Sequence, residues 1–151
     1  MGLRDLATTP HFSTSTHKVL ELFYVPALAQ ATSYDRGVGY FTSNWLRLAA
    51  TGLATLAANG GKARILASPK LDREDCAALT QGTDARNDPT LRSALERTIA
   101  DLEHNLAHDT LAALAWMIAD GLLEFKIAIP TGELDGDFHD KFGVFRDPSQ
   151  D

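Results

Sequence analysis

His139 and Lys141 are the two residues of this chain whose types and spacing are best suited to chemistry. They stand two positions apart in the segment FHDKFGVFRD, which spans residues 138–147. We predict that Phe138–Arg146 forms a strand, in which alternate side chains share a face, so the imidazole and the ammonium project together with Gly143 beyond them. Because two such groups are costly to remove from water, the pair predicts a polar cleft.

A bound phosphate would account for both side chains. An ammonium group offsets the charge of phosphoryl oxygens, and a neutral imidazole nitrogen can attack phosphorus and form a covalent intermediate. The spacing alone also fits an ordinary pair on an edge strand with a solvated lysine. The chemical interpretation therefore depends on the elements that surround the pair.

Strand and helix signals alternate ahead of this pair. The segments Gly37–Phe41 and Lys62–Ser68 are short and β-prone, and the apolar-periodic stretch between them begins at Ser43 or Asn44 and ends at Gly60. A strand, a helix and a second strand with a crossover of this length predict two parallel strands. The pair would thus project from a sheet whose other strands are mainly parallel.

The remaining patterns complete an alternating order. A third strand is predicted at Leu122–Pro130, and the breaker-rich stretch Gln81–Pro89 is too short to separate two domains. We therefore expect an α/β sandwich with a mixed, mostly parallel sheet flanked by helices, formed as a single domain over residues 1–151. Further helices are predicted after Thr16 with a kink or break at Pro26, at Arg73–Leu79, and over Pro89–Asp120 as two helices that break near His108–Asp109, with Gly121 as the stop.

The composition, 44% hydrophobic and 23% charged, is that of a chain that folds around a core. The net charge of −6 has the wrong sign for a surface that holds a polyanion throughout, so any nucleic-acid contact must be local. Cys76 is the single cysteine, which excludes an intramolecular disulfide and favours a reducing compartment. Without a stretch suited to a signal peptide or a membrane span, we expect a cytoplasmic protein with no membrane contact.

The segment FHDKFGVFRD resembles the signature of the phospholipase D superfamily, a His-x-Lys followed by an Asp on a strand of an α/β sandwich. The wider layout, from Asp35 to Asp147, is similar to the phospholipase D-like modules of bacterial helicase and restriction proteins. The likeness rests on four segments in order, RGVGYFTSNWLRLAA, NGGKARILASP, LLEFKIAIP and FHDKFGVFRD. This layout is more specific than a bare His-x-Lys.

The resemblance implies a phosphodiesterase, with nucleic acid, and DNA first, as the expected substrate. It implies that His139 is the nucleophile, that Lys141 holds the non-bridging phosphoryl oxygens, and that the reaction needs no metal or other cofactor. In this family a second histidine protonates the leaving group. Because the chain has one such motif, that histidine should come from a second copy, so a two-fold homodimer is the expected active form.

Asp147 is the third candidate catalytic residue, as the counterpart of the Asp of the family signature. The family spacing places that Asp five residues after the Lys, where this chain has Arg146, and Asp147 comes one residue later. A turn residue before Pro148 is an equal interpretation. The family also has a Gly-Ser element and an Asn or Glu on a following strand, so we expect the chain to be the amino-terminal part of a longer protein and to lack activity alone if those elements are needed.

Two other functions stay open. The first is a catalytically inactive module that dimerises and binds DNA or phosphate for a helicase or restriction system. The second is a lipid phospholipase, which the lack of an amphipathic basic segment disfavours.

Two further patterns favour structural interpretations. His104 and His108 stand at the spacing of a metal pair on a predicted helix, but residue 105 is Asn where a zinc protease would have Glu, so surface histidines are the favoured interpretation. Gly37 and Gly39 do not complete a phosphate-binding loop, so we ascribe them to close strand packing.

Overall fold

The computed structural model of the protein describes residues 1–133 and 136–149. In this part of the chain four strands form one sheet, and helices pack against it. The strands are β1 (Ser33–Val38), β2 (Lys62–Ala67), β3 (Leu123–Ile127) and β4 (Phe142–Arg146). The helices are α1 (Val25–Gln30), α2 (Asn44–Leu48), α3 (Ala50–Ala58), α4 (Arg73–Asn87), α5 (Pro89–Glu96), α6 (Leu102–His108) and α7 (Thr110–Asp120).

The sheet has the strand order β3-β2-β1-β4. β1 pairs in parallel with β2, and β2 pairs in parallel with β3, whereas β4 runs antiparallel along the other side of β1. α2 and α3 connect β1 to β2, as the strand-helix-strand pattern requires. The predicted α/β class, with a mixed and mostly parallel sheet flanked by helices, is confirmed.

One face of the sheet carries the core. In β2, Ala63, Ile65 and Ala67 are buried, whereas Lys62 and Arg64, which alternate with them, are exposed. The alternation follows from the two-residue period of side chains along a strand. The helices cover the face of the buried residues. We call the opposite face, which carries Lys62 and Arg64, the open face.

An aromatic cluster on the covered face joins β1, β4 and α2. The buried Tyr34 ring stacks on Phe145 and on Trp45, with ring centroids 4.4 and 5.8 Å apart. The Arg36 guanidinium lies 4.4 Å from the Trp45 ring centroid and donates a hydrogen bond to Tyr34 Oη at 3.2 Å. Burial raises the pKa of Tyr34. The cluster holds β1 and β4 against α2, the first helix of the crossover to β2.

α4 is longer than the sequence predicts. A helix over Arg73–Leu79 and a loop from Gln81 are expected, but α4 continues to Asn87. Gly82 explains the difference, because it lies so close to α7 that a side chain there would meet the carbonyl oxygen of Ala115. A residue of poor helix propensity thus permits the closest approach of these two helices.

The amino-terminal helix is also displaced from its predicted start. It begins with a π-helical turn, Leu20–Tyr24, and not after Thr16. α1 follows directly and has Pro26 in its first turn, so the missing N–H of proline falls at the junction between the π-helical turn and α1. The disturbance expected at Pro26 therefore takes the form of a widened turn just before it.

Other helix boundaries differ in smaller ways. The helix predicted from Ser43 or Asn44 is divided into α2 and α3, and no side chain caps α2; instead, the Ser43 N–H donates to the buried carboxylate of Asp75 at 3.0 Å. The region Pro89–Asp120 contains three helices, and the predicted break near His108–Asp109 is confirmed. None of the described helices is long and apolar enough to cross a membrane.

The first three strands are observed with altered bounds. β2 matches the predicted strand Lys62–Ser68 except for its last residue, and β3 is a shortened form of Leu122–Pro130. β1 lies four residues earlier than the predicted Gly37–Phe41. The charge of Asp35 conceals this strand in the sequence, and in the fold that charge is satisfied by Arg64 on the neighbouring strand.

β4 begins at Phe142, four residues later than the predicted strand Phe138–Arg146. Its first residue pairs with Gly37, close to the end of β1, so the residues ahead of Phe142 extend beyond the paired part of the sheet. His139 and Lys141 therefore lie in the segment that precedes β4. The prediction that they share one face of a strand is wrong.

Candidate active site

His139 and Lys141 lie at the edge of the sheet where the parallel strands end. β1 and β2 finish at this edge with Val38 and Ala67, and β4, which runs in the opposite direction, begins at it. Side chains that follow parallel strands collect at such an edge, which is where ligands of α/β proteins bind. The pair thus occupies the part of the fold in which several elements can act on one ligand.

His139 packs against the loop that follows β1. Its ring meets Tyr40 edge to face, with the ring centroids 5.7 Å apart. Gly39 permits this approach, because a Cβ atom there would stand 2.8 Å from His139 Nδ1. The Gly39 carbonyl accepts a hydrogen bond from the Ser68 N–H at 3.2 Å, which ties the loop to the end of β2. The expected close strand packing is confirmed at Gly37, on which a ring of β4 rests, whereas Gly39 and His139 both lie outside the strands.

Lys141 reaches back to the His139 ring. Its Nζ atom lies 3.1 Å from His139 Nε2 and 3.0 Å from the His139 carbonyl oxygen. An ammonium group has donors and no acceptor, so Nε2 accepts this hydrogen bond and the ring proton is on Nδ1. Both side chains are exposed. An anion that arrives from solvent therefore reaches the imidazole and the ammonium together.

A second lysine lies beside this pair. Lys70 forms an ion pair with Asp137, and its Nζ atom is 5.9 Å from the Tyr40 ring centroid. The hydrogen bond to Asp137 and the charge of that carboxylate raise the pKa of Lys70, which keeps it cationic. No role in this site is predicted from the sequence for Tyr40, Lys70 or Asp137. The positions of the first two, just after β1 and β2, are the signal that would have indicated them.

The cluster has the chemistry of a site for a phosphoryl group. Two ammonium groups and an imidazole come together here, with Asp137 paired to Lys70 and the exposed Asp140 between His139 and Lys141 in the chain. Such donors stabilise charge that develops on phosphoryl oxygens. His139 Nε2 adds a nucleophilic lone pair once Lys141 turns away from it. The ammonium groups of the cluster are the local cations through which an acidic chain could contact a polyanion.

Asp147 is not part of this cluster. It follows β4 whereas Lys141 precedes it, and a strand of that length spans roughly 16 Å. The side chain of Asp147 is buried; Oδ2 accepts from the Leu3 N–H at 2.6 Å, and Oδ1 accepts from Ser149 N and Oγ at 3.1 and 2.6 Å. The hydrogen bonds from Ser149 and then from Leu3 lower the pKa of Asp147. These contacts anchor the amino-terminal segment to the turn at Pro148.

Two other places in the molecule offer less chemistry. His104 and His108 are exposed on α6 with their ring centroids 4.6 Å apart. Among the residues that the structure describes, no three His, Cys, Asp or Glu side chains are grouped so that they could hold a metal ion. A cavity of about 970 Å³ lies between α4 and α5, but its surface is mainly apolar and includes no residue of the His139 cluster.

Known proteins do not assign this site to a family: no family model matches the chain, and no curated protein or solved structure shows significant similarity to it. What the site does must therefore be argued from its own residues.

Proposed function

We propose that the chain carries a phospholipase D-type phosphodiesterase site that cleaves nucleic acid, DNA in the first instance. The observation that carries the proposal is the contact between His139 Nε2 and Lys141 Nζ, 3.1 Å long, at the edge where the parallel strands of the sheet end. A nucleophilic nitrogen and a cation within hydrogen-bond reach of each other can engage the same phosphate. The order of the four family-like segments supports the proposal separately.

In the proposed reaction the lone pair of His139 Nε2 attacks the phosphorus of a phosphodiester. A P–N bond forms and the bond from phosphorus to the leaving oxygen breaks, while Lys141 donates to the non-bridging oxygens. The leaving oxygen takes a proton from the imidazolium of the same histidine in a second copy of the chain. That imidazole then takes a proton from water, the resulting hydroxide attacks phosphorus, and the P–N electron pair returns to Nε2.

The contact between the two side chains has to change during this cycle. Lys141 Nζ occupies the lone pair of His139 Nε2 in the structure, so it must move to the phosphoryl oxygens when substrate binds. Its exposure and its rotatable donors permit the movement. Lys70, held by Asp137, would contact a neighbouring phosphate of the same strand.

A second function is favoured by one observation. Asp147 lies at the opposite end of β4, in contact with Leu3 and Ser149. If the reaction needs this carboxylate beside His139, the arrangement is inactive. The chain would then be a non-catalytic module that binds DNA or phosphate and dimerises as part of a helicase or restriction system, with Lys141 as a binding residue.

Cleavage of plasmid and single-stranded DNA in the presence of EDTA tests the proposal. We expect the wild-type chain to cut and His139→Ala to lose at least about 10³-fold in rate, because the P–N intermediate cannot form. Lys141→Ala should lose about 10²-fold, the loss typical of removing one donor to a developing oxyanion. His108→Ala is the matched control, since this histidine is exposed on α6 outside the cluster, and it should cut at the wild-type rate.

Two outcomes would redirect the assignment. Cutting that survives His139→Ala would contradict the nucleophile. DNA binding that depends on Lys141, with no cutting by the wild-type chain, would support the binding module instead. Thermal unfolding of each variant establishes that lost activity is not lost folding.

A further inference from the structure

The open face of the sheet adjoins the candidate site and carries no helix within the described part of the chain. Residues in register across neighbouring strands point to the same face, so the side chains form rows. The row nearest to the site consists of Lys126, Leu66, Gly37 and Phe142, one from each strand. This row runs from Lys126 on β3, the far edge strand, to Phe142, which directly follows Lys141 in the chain.

The Phe142 side chain is half exposed, and the other side of its ring packs against Gly37. Its side chain is 47% exposed. Its ring lies on the backbone of Gly37, where a Cβ atom would stand 2.6 Å from Cδ1 and 2.7 Å from Cζ. A ring that rests on backbone with one side presents its other side to solvent. This is the geometry of a platform on which a nucleobase stacks.

The charge of the open face is opposite to that of the chain as a whole. Its charged side chains are the cations Lys62, Arg64, Lys126 and Arg146 and the anions Asp35 and Glu124, whereas the chain carries a net charge of −6. Asp35 is shared by two guanidinium groups, with Arg64 Nε and Arg146 Nη1 each at 2.6 Å. One carboxylate therefore faces two cations, and these three side chains together keep a net positive charge. A depression of about 270 Å³ lies among Arg64, Lys126 and Phe142.

We propose that the open face binds single-stranded nucleic acid, with one base stacked on Phe142 and the backbone along Lys126 and Arg64. The phosphate next to the stacked base would then meet Lys141 and His139. The inference rests on the proposed function, whose substrate class it names. A single strand is specified because the bases of a duplex already stack on one another and offer no free face to Phe142.

A second copy of the chain is the other occupant to consider for this face. Around a two-fold axis the face would meet itself, and two surfaces of the same net charge repel each other. The large exposed apolar side chains of the face, among the described residues, are Phe142 and Val144. Two side chains supply little of the apolar core that a stable homodimer interface has. The charge and the support of the Phe142 ring both favour nucleic acid.

Fluorescence anisotropy tests the inference with two labelled probes, an oligothymidine of about 20 nucleotides and a DNA duplex of equal length. The binding is measured with His139→Ala in every protein, so that cleavage does not enter. We expect Phe142→Leu to weaken binding of the single strand at least fivefold and Phe142→Tyr to restore it, because tyrosine stacks and leucine does not. Lys126→Gln should lower the slope of log Kd against log salt by about 0.7.

Leu91→Ala and Lys18→Gln are the controls, since both residues are exposed and lie outside the open face. If the Phe142→Leu and Lys126→Gln variants bind the single strand as tightly as these controls do, the inference is overturned, whatever the cleavage assay shows. Duplex bound as tightly as the single strand, or a dimer in sedimentation that Phe142→Leu dissociates, would also overturn it. Phe142-dependent binding without any cleavage by the wild-type chain would uphold the surface while refuting the phosphodiesterase.

Discussion

Asp35 joins three strands of the sheet through its charge. Its side chain is 15% exposed and accepts hydrogen bonds from Arg64 of β2 and Arg146 of β4. The hydrogen bond from Arg64, followed by that from Arg146, lowers the pKa of Asp35 to about 2. A carboxyl whose pKa is lower in the folded chain than its ordinary value of about 3.9 stabilises the fold above that value. The contribution is lost as the pH falls from about 4 through the folded-state pKa.

We therefore expect Asp35→Asn to lower the free energy of unfolding by about 1 kcal/mol at pH 7 and by much less at pH 2. The pKa shift in full corresponds to about 2–3 kcal/mol, but both guanidinium groups are about half exposed, so solvent screens the attraction. Urea unfolding between pH 2 and pH 7 measures the difference. Glu124→Gln is the control, because its ion pair is exposed on both sides. An effect of Asp35→Asn that is as large at pH 2 as at pH 7 would contradict the ion-pair explanation.

The sequence predicts the candidate site only in part, for reasons visible in individual residues. His139 and Lys141 are two positions apart, so their meeting needs no knowledge of the fold. Tyr40 and Lys70 join them because β1 and β2 end at the same edge, which depends on the strand order. The burial of Asp147 depends on Leu3, which is 144 residues away in the chain. Contacts of such sequence separation leave no local pattern.

Gly82 determines how closely helix α4 approaches helix α7. A Cβ atom there would meet the Ala115 carbonyl oxygen and stand 2.7 Å from Ile118 Cβ. We expect Gly82→Ala to lower the free energy of unfolding by about 1–2 kcal/mol. Overpacking costs about 1–3 kcal/mol, and alanine's better helix propensity returns up to about 1 kcal/mol.

Chemical unfolding at neutral pH measures this change, with Gln81→Ala as the neighbouring control. Gln81 is exposed on the same helix, so its replacement should stay within about 0.5 kcal/mol of the wild type. A Gly82→Ala chain that is more stable than the wild type would show that α7 moves aside at little cost.

Element types are more predictable from this sequence than element bounds. The alternation of strands and helices follows from periodicity and turn residues, and the parallel pair follows from the crossover between them. The predicted bounds of an element are wrong where tertiary contacts override the local sequence signals. The polar stretch from Gln81 is helical because Gly82 and Ala85 face α7 or the core, and β4 starts at Phe142 because β1 ends soon after Gly37.

The proposed reaction requires two histidines in one site, but the chain has a single His-x-Lys motif, which supplies His139 alone. A site shared between two copies makes cleavage depend on chain concentration, because the dimer must form before any site is complete. The specific activity of the wild-type chain should therefore rise with concentration until dimers predominate in sedimentation equilibrium.

Mixing wild-type and His139→Ala chains separates a shared site from an independent one. If each site needs His139 from both copies, a dimer with one altered chain is inactive, and activity follows the square of the wild-type fraction. An equal mixture, allowed to exchange chains, should then retain about one quarter of the wild-type activity per total chain, against about one half for chains that act alone. His108→Ala in place of His139→Ala should leave the mixture fully active. A linear fall in the His139→Ala mixture would contradict the shared site, because a single histidine would then be enough for both protonation and attack.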